Sequence, residues 1–115
     1  MIRAVVLLAA CTAVSACATQ KSRYAWGGYE EVIYASYVSH NDVPAEKQVE
    51  LLEKDYQVAR STNARMPPGW HAELGYLYYQ LGKGDQARQE LLTEKSEFPE
   101  SAVFVDRLLA NLGKP

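Results

Sequence analysis

The chain has 115 residues, enough for one domain and no more. Apolar residues make up 48% of it, so disorder is not the default. A formal charge of -2, with no run of five like charges, argues against a nucleic-acid surface and against a charged tail.

Residues 1–16 read as a lipoprotein signal peptide. Arg3 supplies the positive n-region. Ala4–Ala16 is uncharged and mostly apolar, but it is too short for a spanning helix of about 20 residues. Val14-Ser15-Ala16-Cys17 has the pattern of a bacterial lipobox. There, small residues let a signal peptidase reach the bond before a cysteine that carries lipid. Leu8-Ala9-Ala10-Cys11 fits the same letters, but cleavage there leaves an apolar stretch of about seven residues, the lower edge of a working h-region. Cys17 is therefore the expected lipidation site and Cys11 the alternative. With Cys11 removed in the signal, the mature protein has no pair of cysteines for a disulfide and must rest on its core or a partner. Ala18, where Asp would signal inner-membrane retention in enteric bacteria, points to the outer membrane.

Residues 17–24 form the lipidated Cys and a tether. Even fully extended, Ala18–Tyr24 reaches only about 25 Å, which holds the domain, residues 25–115, near the membrane surface. A first helix is predicted from Gly28 to about Ser39. Trp26, Tyr29, Ile33 and Tyr37 recur at helical spacing, widened by Tyr34 and Val38. That stripe is read mainly as core. So many tyrosines also imply that some hydroxyls sit at an edge. Pro44 opens the second helix, which runs to about Asn63 and buries Val49, Leu52, Tyr56 and Ala59. Its charged residues form a solvated face.

Met66-Pro67-Pro68-Gly69 separates this pair from the next, because two prolines cannot continue a helix. The third helix, Trp70–Leu81, carries Trp70, Leu74, Leu77 and Leu81 as its stripe. Gly82 and Gly84 make a turn. The fourth helix, Asp85–Glu97, turns Ala87, Leu91 and Phe98 inward. A stop at Phe98-Pro99-Glu100-Ser101 follows. Ser101 is the expected cap of a fifth helix with a stripe of Phe104, Leu108 and Leu112.

Leu74, Gly75 and Tyr78, followed by Ala87, Leu91 and Pro99, fall where a tetratricopeptide (TPR) repeat places its Leu-Gly, Tyr, Ala, Phe and Pro positions. The repeat's leading Trp would land on His71, one residue after Trp70. The resemblance implies an all-α fold of five helices, in TPR-like hairpins with a C-terminal capping helix. Gly75 would then let the partner helix approach closely. One repeat cannot bury its own face, so the first two helices must supply a neighbouring layer as a degenerate repeat.

Catalytic chemistry is sparse. His40 and His71 have no second His or Cys at ligand spacing, so no metal or cofactor is expected. Ser39, His40 and Asp42 are chance letters without a nucleophile elbow. Glu30-Glu31 and Glu94/Glu97 are read as solvated acids. The expectation is a protein that is not an enzyme.

The mature chain also resembles a family of small bacterial lipoproteins classed as domain of unknown function 4810. The resemblance rests on Cys17-Ala18-Thr19-Gln20, Tyr24, Trp26-Gly27-Gly28-Tyr29, Tyr34 and Tyr37. It continues through Leu52-Glu53-Lys54-Asp55, Pro67-Pro68-Gly69, His71, Leu74-Gly75-Tyr76-Leu77, Glu94-Lys95, Phe98-Pro99-Glu100-Ser101 and Leu108-Leu109. Members tend to be encoded beside a lipoprotein resembling the curli secretion pore (CsgG type). The resemblance implies a role in an outer-membrane lipoprotein assembly, and with the lipobox the expectation is an interaction module anchored to the membrane by lipid at Cys17 and facing the periplasm. Tyr29, Tyr37, Tyr76 and Tyr79 are the candidate partner contacts. The alternative is a peptidoglycan-active enzyme or an activator of one, which requires a cleft with two acids or a perturbed His.

Overall fold

The computed structural model describes residues 22–38 and 43–112. The signal peptide, Cys11, Cys17, Ala18, Ser39, His40 and Asp42 lie outside these residues. Among the described residues five α-helices follow one another: α1 Tyr29–Tyr37, α2 Ala45–Ser61, α3 Trp70–Gln80, α4 Gly84–Glu97 and α5 Ala102–Leu112. A 3-10 turn, Pro99–Ser101, joins α4 to α5. The fold is all-α, and no helix among the described residues is long and apolar enough to cross a membrane.

The core is one contiguous set drawn from α1 to α4. Tyr29 and Val32 of α1 meet Val49, Leu52 and Ala59 of α2 and Trp70, Leu74, Leu77 and Tyr78 of α3. Trp70 is fully buried, and Tyr56 stacks on it at 5.4 Å between ring centroids. Such a pair adds about 0.5–1.5 kcal/mol beyond the area it buries. A smaller cluster of Ala72, Leu91 and Val105 fixes α5 against α3 and α4.

The α3–α4 pair has the most extensive contact in the fold, and Gly75 explains it. A Cβ at Gly75 would lie 3.1 Å from the Ala87 carbonyl oxygen and 3.1 Å from Leu91 Cγ. A side chain at that height would need the neighbouring helix to give by a few tenths of an ångström. A glycine costing about 1 kcal/mol relative to alanine inside a helix is thereby accounted for.

α2 and α3 end in the same way. Gly82, at φ +72°, follows α3, and the Lys83 N–H donates to Tyr78 O at 2.9 Å while the Gly82 N–H donates to Tyr79 O at 3.0 Å. This is a Schellman termination. Asn63, at φ +52°, does the same for α2, with the Ala64 N–H donating to Ala59 O at 2.8 Å. Asparagine is among the few residues besides glycine that visit this region.

Four expectations need correction. The buried face of α1 is Tyr29, Val32 and Ala35, while Tyr34, Tyr37 and Val38 are exposed. Tyr29 and Val32 pack into the core shared with α2 and α3, and the rest of the tyrosine stripe is left outside that contact. In α5 the fully buried residue is Val105, and Phe104 is more than half exposed. Ser101 does not cap α5; its Oγ donates back to Phe98 O at 2.7 Å and tightens the 3-10 turn. Tyr24, assigned to the tether, is part of the fold: it bridges to Arg65 and sets its ring edge-on to Phe98 at 6.2 Å.

Candidate functional site

A cleft of about 420 Å³ opens between α1, α3 and α5. Volumes near this value are ordinary for ligand sites. Ile33, Ala72 and Leu108 supply its apolar walls, and Tyr37, Tyr76 and Phe104 stand around it. These three rings are exposed, Tyr37 by 68% and Tyr76 by 43%. Each is on a helix whose buried stripe lies to one side, so the aromatic ring is left at the edge of the fold. Tyr76 lies off the Leu74–Leu77–Leu81 stripe, and Phe104 lies one residue off Val105.

Below them Ser36, Gln48 and Glu73 form a polar floor. Glu73 is only 5% exposed. Ser36 Oγ lies 2.8 Å from Gln48 Oε1 and 3.0 Å from Glu73 Oε1. The Gln48 amide is oriented by its Nε2 donating to Val43 O at 2.7 Å, which leaves Oε1 as an acceptor toward Ser36. A serine hydroxyl has one proton to give. Both Ser36 contacts are hydrogen bonds when Glu73 carries a proton and donates it to Ser36 Oγ. Burial pushes the Glu73 carboxyl above its usual range, against a smaller opposing effect of Ser36.

Tyr29 lies deeper. It is 9% exposed, so its expected role as an exposed contact is corrected: it belongs to the core and reaches the cleft at its base. Its hydroxyl packs under Gly69, where a Cβ would come within 2.8 Å of it. Burial, then Glu73, Glu94 and Tyr37, pushes its phenol up to about 12. Gly69 stands at φ +89° before α3, and its N–H donates to Glu94 Oε1 at 2.7 Å. Glu94 is 1% exposed, so the reading of Glu94 as a solvated acid is corrected as well.

The cleft therefore brings together Tyr29, Tyr37 and Tyr76 from among the four candidate tyrosines. Tyr79 is not in it. It borders a neighbouring hollow of about 260 Å³ with Gly75, Leu91, Asn111 and Leu112, and that hollow shares Tyr76 and Leu108 with the main cleft. Sequence reasoning missed Ser36, Gln48 and Glu73. Polar residues on an amphipathic helix read as solvent-facing, and no local spacing reveals that three helices turn them toward each other.

His71 is buried. Its Nδ1 lies 2.7 Å from Glu90 Oε2 and its Nε2 4.0 Å from Glu97 Oε1. The ring packs edge-on to Trp70 and Tyr56. It borders neither the main cleft nor the hollow beside Tyr79. Among the described residues, no group of three His, Cys, Asp or Glu side chains is placed to hold a metal ion.

No curated protein and no solved structure matches the chain. Residues 23–108 match a family described as a domain of unknown function (DUF4810). The match runs from just before Tyr24 through Leu108, and so takes in α1 to α4, the first part of α5 and all of the cleft-lining residues. The chain belongs to the DUF4810 family.

Proposed function

We propose that this protein is a lipid-anchored interaction module of the outer membrane, held at Cys17 on the periplasmic side, and that its α1–α3–α5 cleft receives a segment of a partner protein. The observation that carries this reading is the rim of Tyr37, Tyr76 and Phe104 around one concave site. Aromatic residues exposed together are characteristic of the centre of protein interfaces. The close α3–α4 approach at Gly75 supports a TPR-like unit, with α1–α2 as a degenerate layer and α5 as the cap. A CsgG-type lipoprotein is the proposed partner, through the family resemblance.

A photo-cross-linking residue placed at Tyr76 in the cell envelope tests this, with the same residue at exposed Glu46 on α2 as the control. Adducts with a CsgG-type lipoprotein from position 76, and none from position 46, are expected. Equal adducts from both positions, or none from 76, contradict the assigned surface.

A second reading, a cell-wall enzyme or its activator, has one observation in its favour. A carboxyl raised above its usual range by burial, at the floor of a cleft, is the environment in which a general acid is found. Glu73 is the only carboxyl among the described lining residues, whereas a glycosidase-type site uses two. Lysis of purified peptidoglycan by the wild type, abolished in Glu73→Gln, would establish this reading. Equal behaviour of the two proteins would dismiss it.

A further inference from the structure

The cleft's chemistry is one-sided. Its described lining includes a carboxyl, three partly exposed aromatic rings and the buried Tyr29, and it contains no lysine or arginine. Glu73 is more than nine-tenths buried, and only one of its oxygens is engaged, by Ser36. Aromatic faces attract cations, most strongly where water is excluded. A buried cation in turn needs a countercharge. The cleft sets exposed aromatic rings above a buried carboxyl, so it offers a cation both kinds of group.

We propose that the cleft recognises a lysine side chain of the partner segment, its aliphatic stem against Tyr37, Tyr76 and Phe104 and its ammonium on the free oxygen of Glu73. This rests on the docking reading above and names what is docked. The ammonium takes the place of the Glu73 proton, which leaves to solvent. Ser36 Oγ then donates its proton to the carboxylate or to Gln48. Lysine fits better than arginine, because a guanidinium favours both oxygens of a carboxylate and one of them is held by Ser36. A phospholipid amine fits less well. Its phosphate would enter beside the ammonium, and the lining offers no basic side chain to receive it.

The test uses the full-length chain in non-ionic detergent and dye-labelled short peptides of alanine and leucine. The peptides differ only at the central residue, which is lysine, norleucine or glutamate. Fluorescence anisotropy should give the lysine peptide at least about tenfold tighter binding than the norleucine peptide. The glutamate peptide should bind weakest. Glu73→Gln should reduce the lysine peptide to the norleucine level and leave the norleucine peptide unchanged. Its melting temperature checks that the fold is intact, since the amide still donates to Ser36.

Equal binding of the lysine and norleucine peptides overturns the lysine assignment while leaving a docking cleft in place. Binding of none of the peptides also overturns it, and the cross-link at position 76 then judges the docking reading separately. Vesicles containing phosphatidylethanolamine are a further arm, with phosphatidylcholine vesicles as control. Ethanolamine-dependent capture that needs Glu73, without a lysine preference among the peptides, would reassign the site to a lipid amine and overturn the proposal.

Discussion

Glu94 on α4 closes the start of α3 by accepting the Gly69 N–H at 2.7 Å. Asp55 on α2 does the same for α1, accepting the Gly28 N–H at 2.6 Å. In a capping box, a glutamate of the same helix fills this role. Here it comes from the second helix of each pair. The segments leading into α1 and α3 also run side by side, with Tyr24 paired to Arg65 and the Ala25 N–H donating to Arg65 O at 2.8 Å. Tyr24 and Arg65 stand at the same spacing before their glycines. The two helix pairs thus share one plan. Glu94→Ala should lower stability by about 1–3 kcal/mol, because a part-buried N–H loses its acceptor. Thermal denaturation should read this as a drop of about 4–8 °C per kcal/mol for a domain of this size. An unchanged melting temperature would mean that the Gly69 N–H finds another partner.

Gly75→Ala sets two effects against each other. Alanine is the better helix former by about 1 kcal/mol. Against this, the added Cβ meets Ala87 O and Leu91 Cγ at 3.1 Å, and the carbonyl is fixed within α4. Overpacking of this kind costs about 1–3 kcal/mol. The expected outcome of denaturant unfolding is a net loss of about 1 kcal/mol, with an unchanged m-value.

Glu73 makes stability depend on pH. Its carboxyl is raised above the ordinary 4.5 by burial, so the folded state keeps a proton that the unfolded state gives up. Stability from this group is full below the unfolded value and is lost as pH rises through the folded one. Glu73→Gln keeps a donor to Ser36 and cannot ionise. The variant should therefore lose this slope and exceed the wild type in melting temperature on the alkaline side. Parallel pH profiles for the two proteins would refute the protonated carboxyl.

The spacing of apolar residues makes much of this fold legible from the sequence. Leu74, Gly75 and Ala87 mark a close helix pair, and Pro67-Pro68-Gly69 and Gly82 mark where helices begin and end. The phase of α1 and α5 is not legible in the same way. Each helix has two adjacent apolar stripes, and the choice of Val32 over Tyr37, or Val105 over Phe104, is made by neighbours distant in sequence. The same holds for Asp55, Glu94, Ser36, Gln48 and Glu73. Their partners are on other helices, and composition treats a lone acid as solvated. Several landmarks of the family resemblance prove to be joints of the fold: Gly28 with Asp55, Gly69 with Glu94 and Tyr29, and Tyr24 with Phe98.

The proposed anchor has its own test. Radioactive palmitate should label the wild type and Cys11→Ser and should fail to label Cys17→Ser. Loss of label in Cys11→Ser alone would move the cleavage site to Cys11.

The docking claim is tested most directly by comparing three forms of the chain in one co-purification from cell envelopes. These are the wild type, Tyr37→Ala with Tyr76→Ala, and Tyr34→Ala as an exposed tyrosine outside the cleft lining. The CsgG-type lipoprotein should be retained by the wild type and by Tyr34→Ala, and lost or reduced at least about tenfold in the double variant, as expected when two interface anchors are truncated. Equal recovery with all three forms, at equal melting temperatures, would contradict the assignment of this cleft as the partner site.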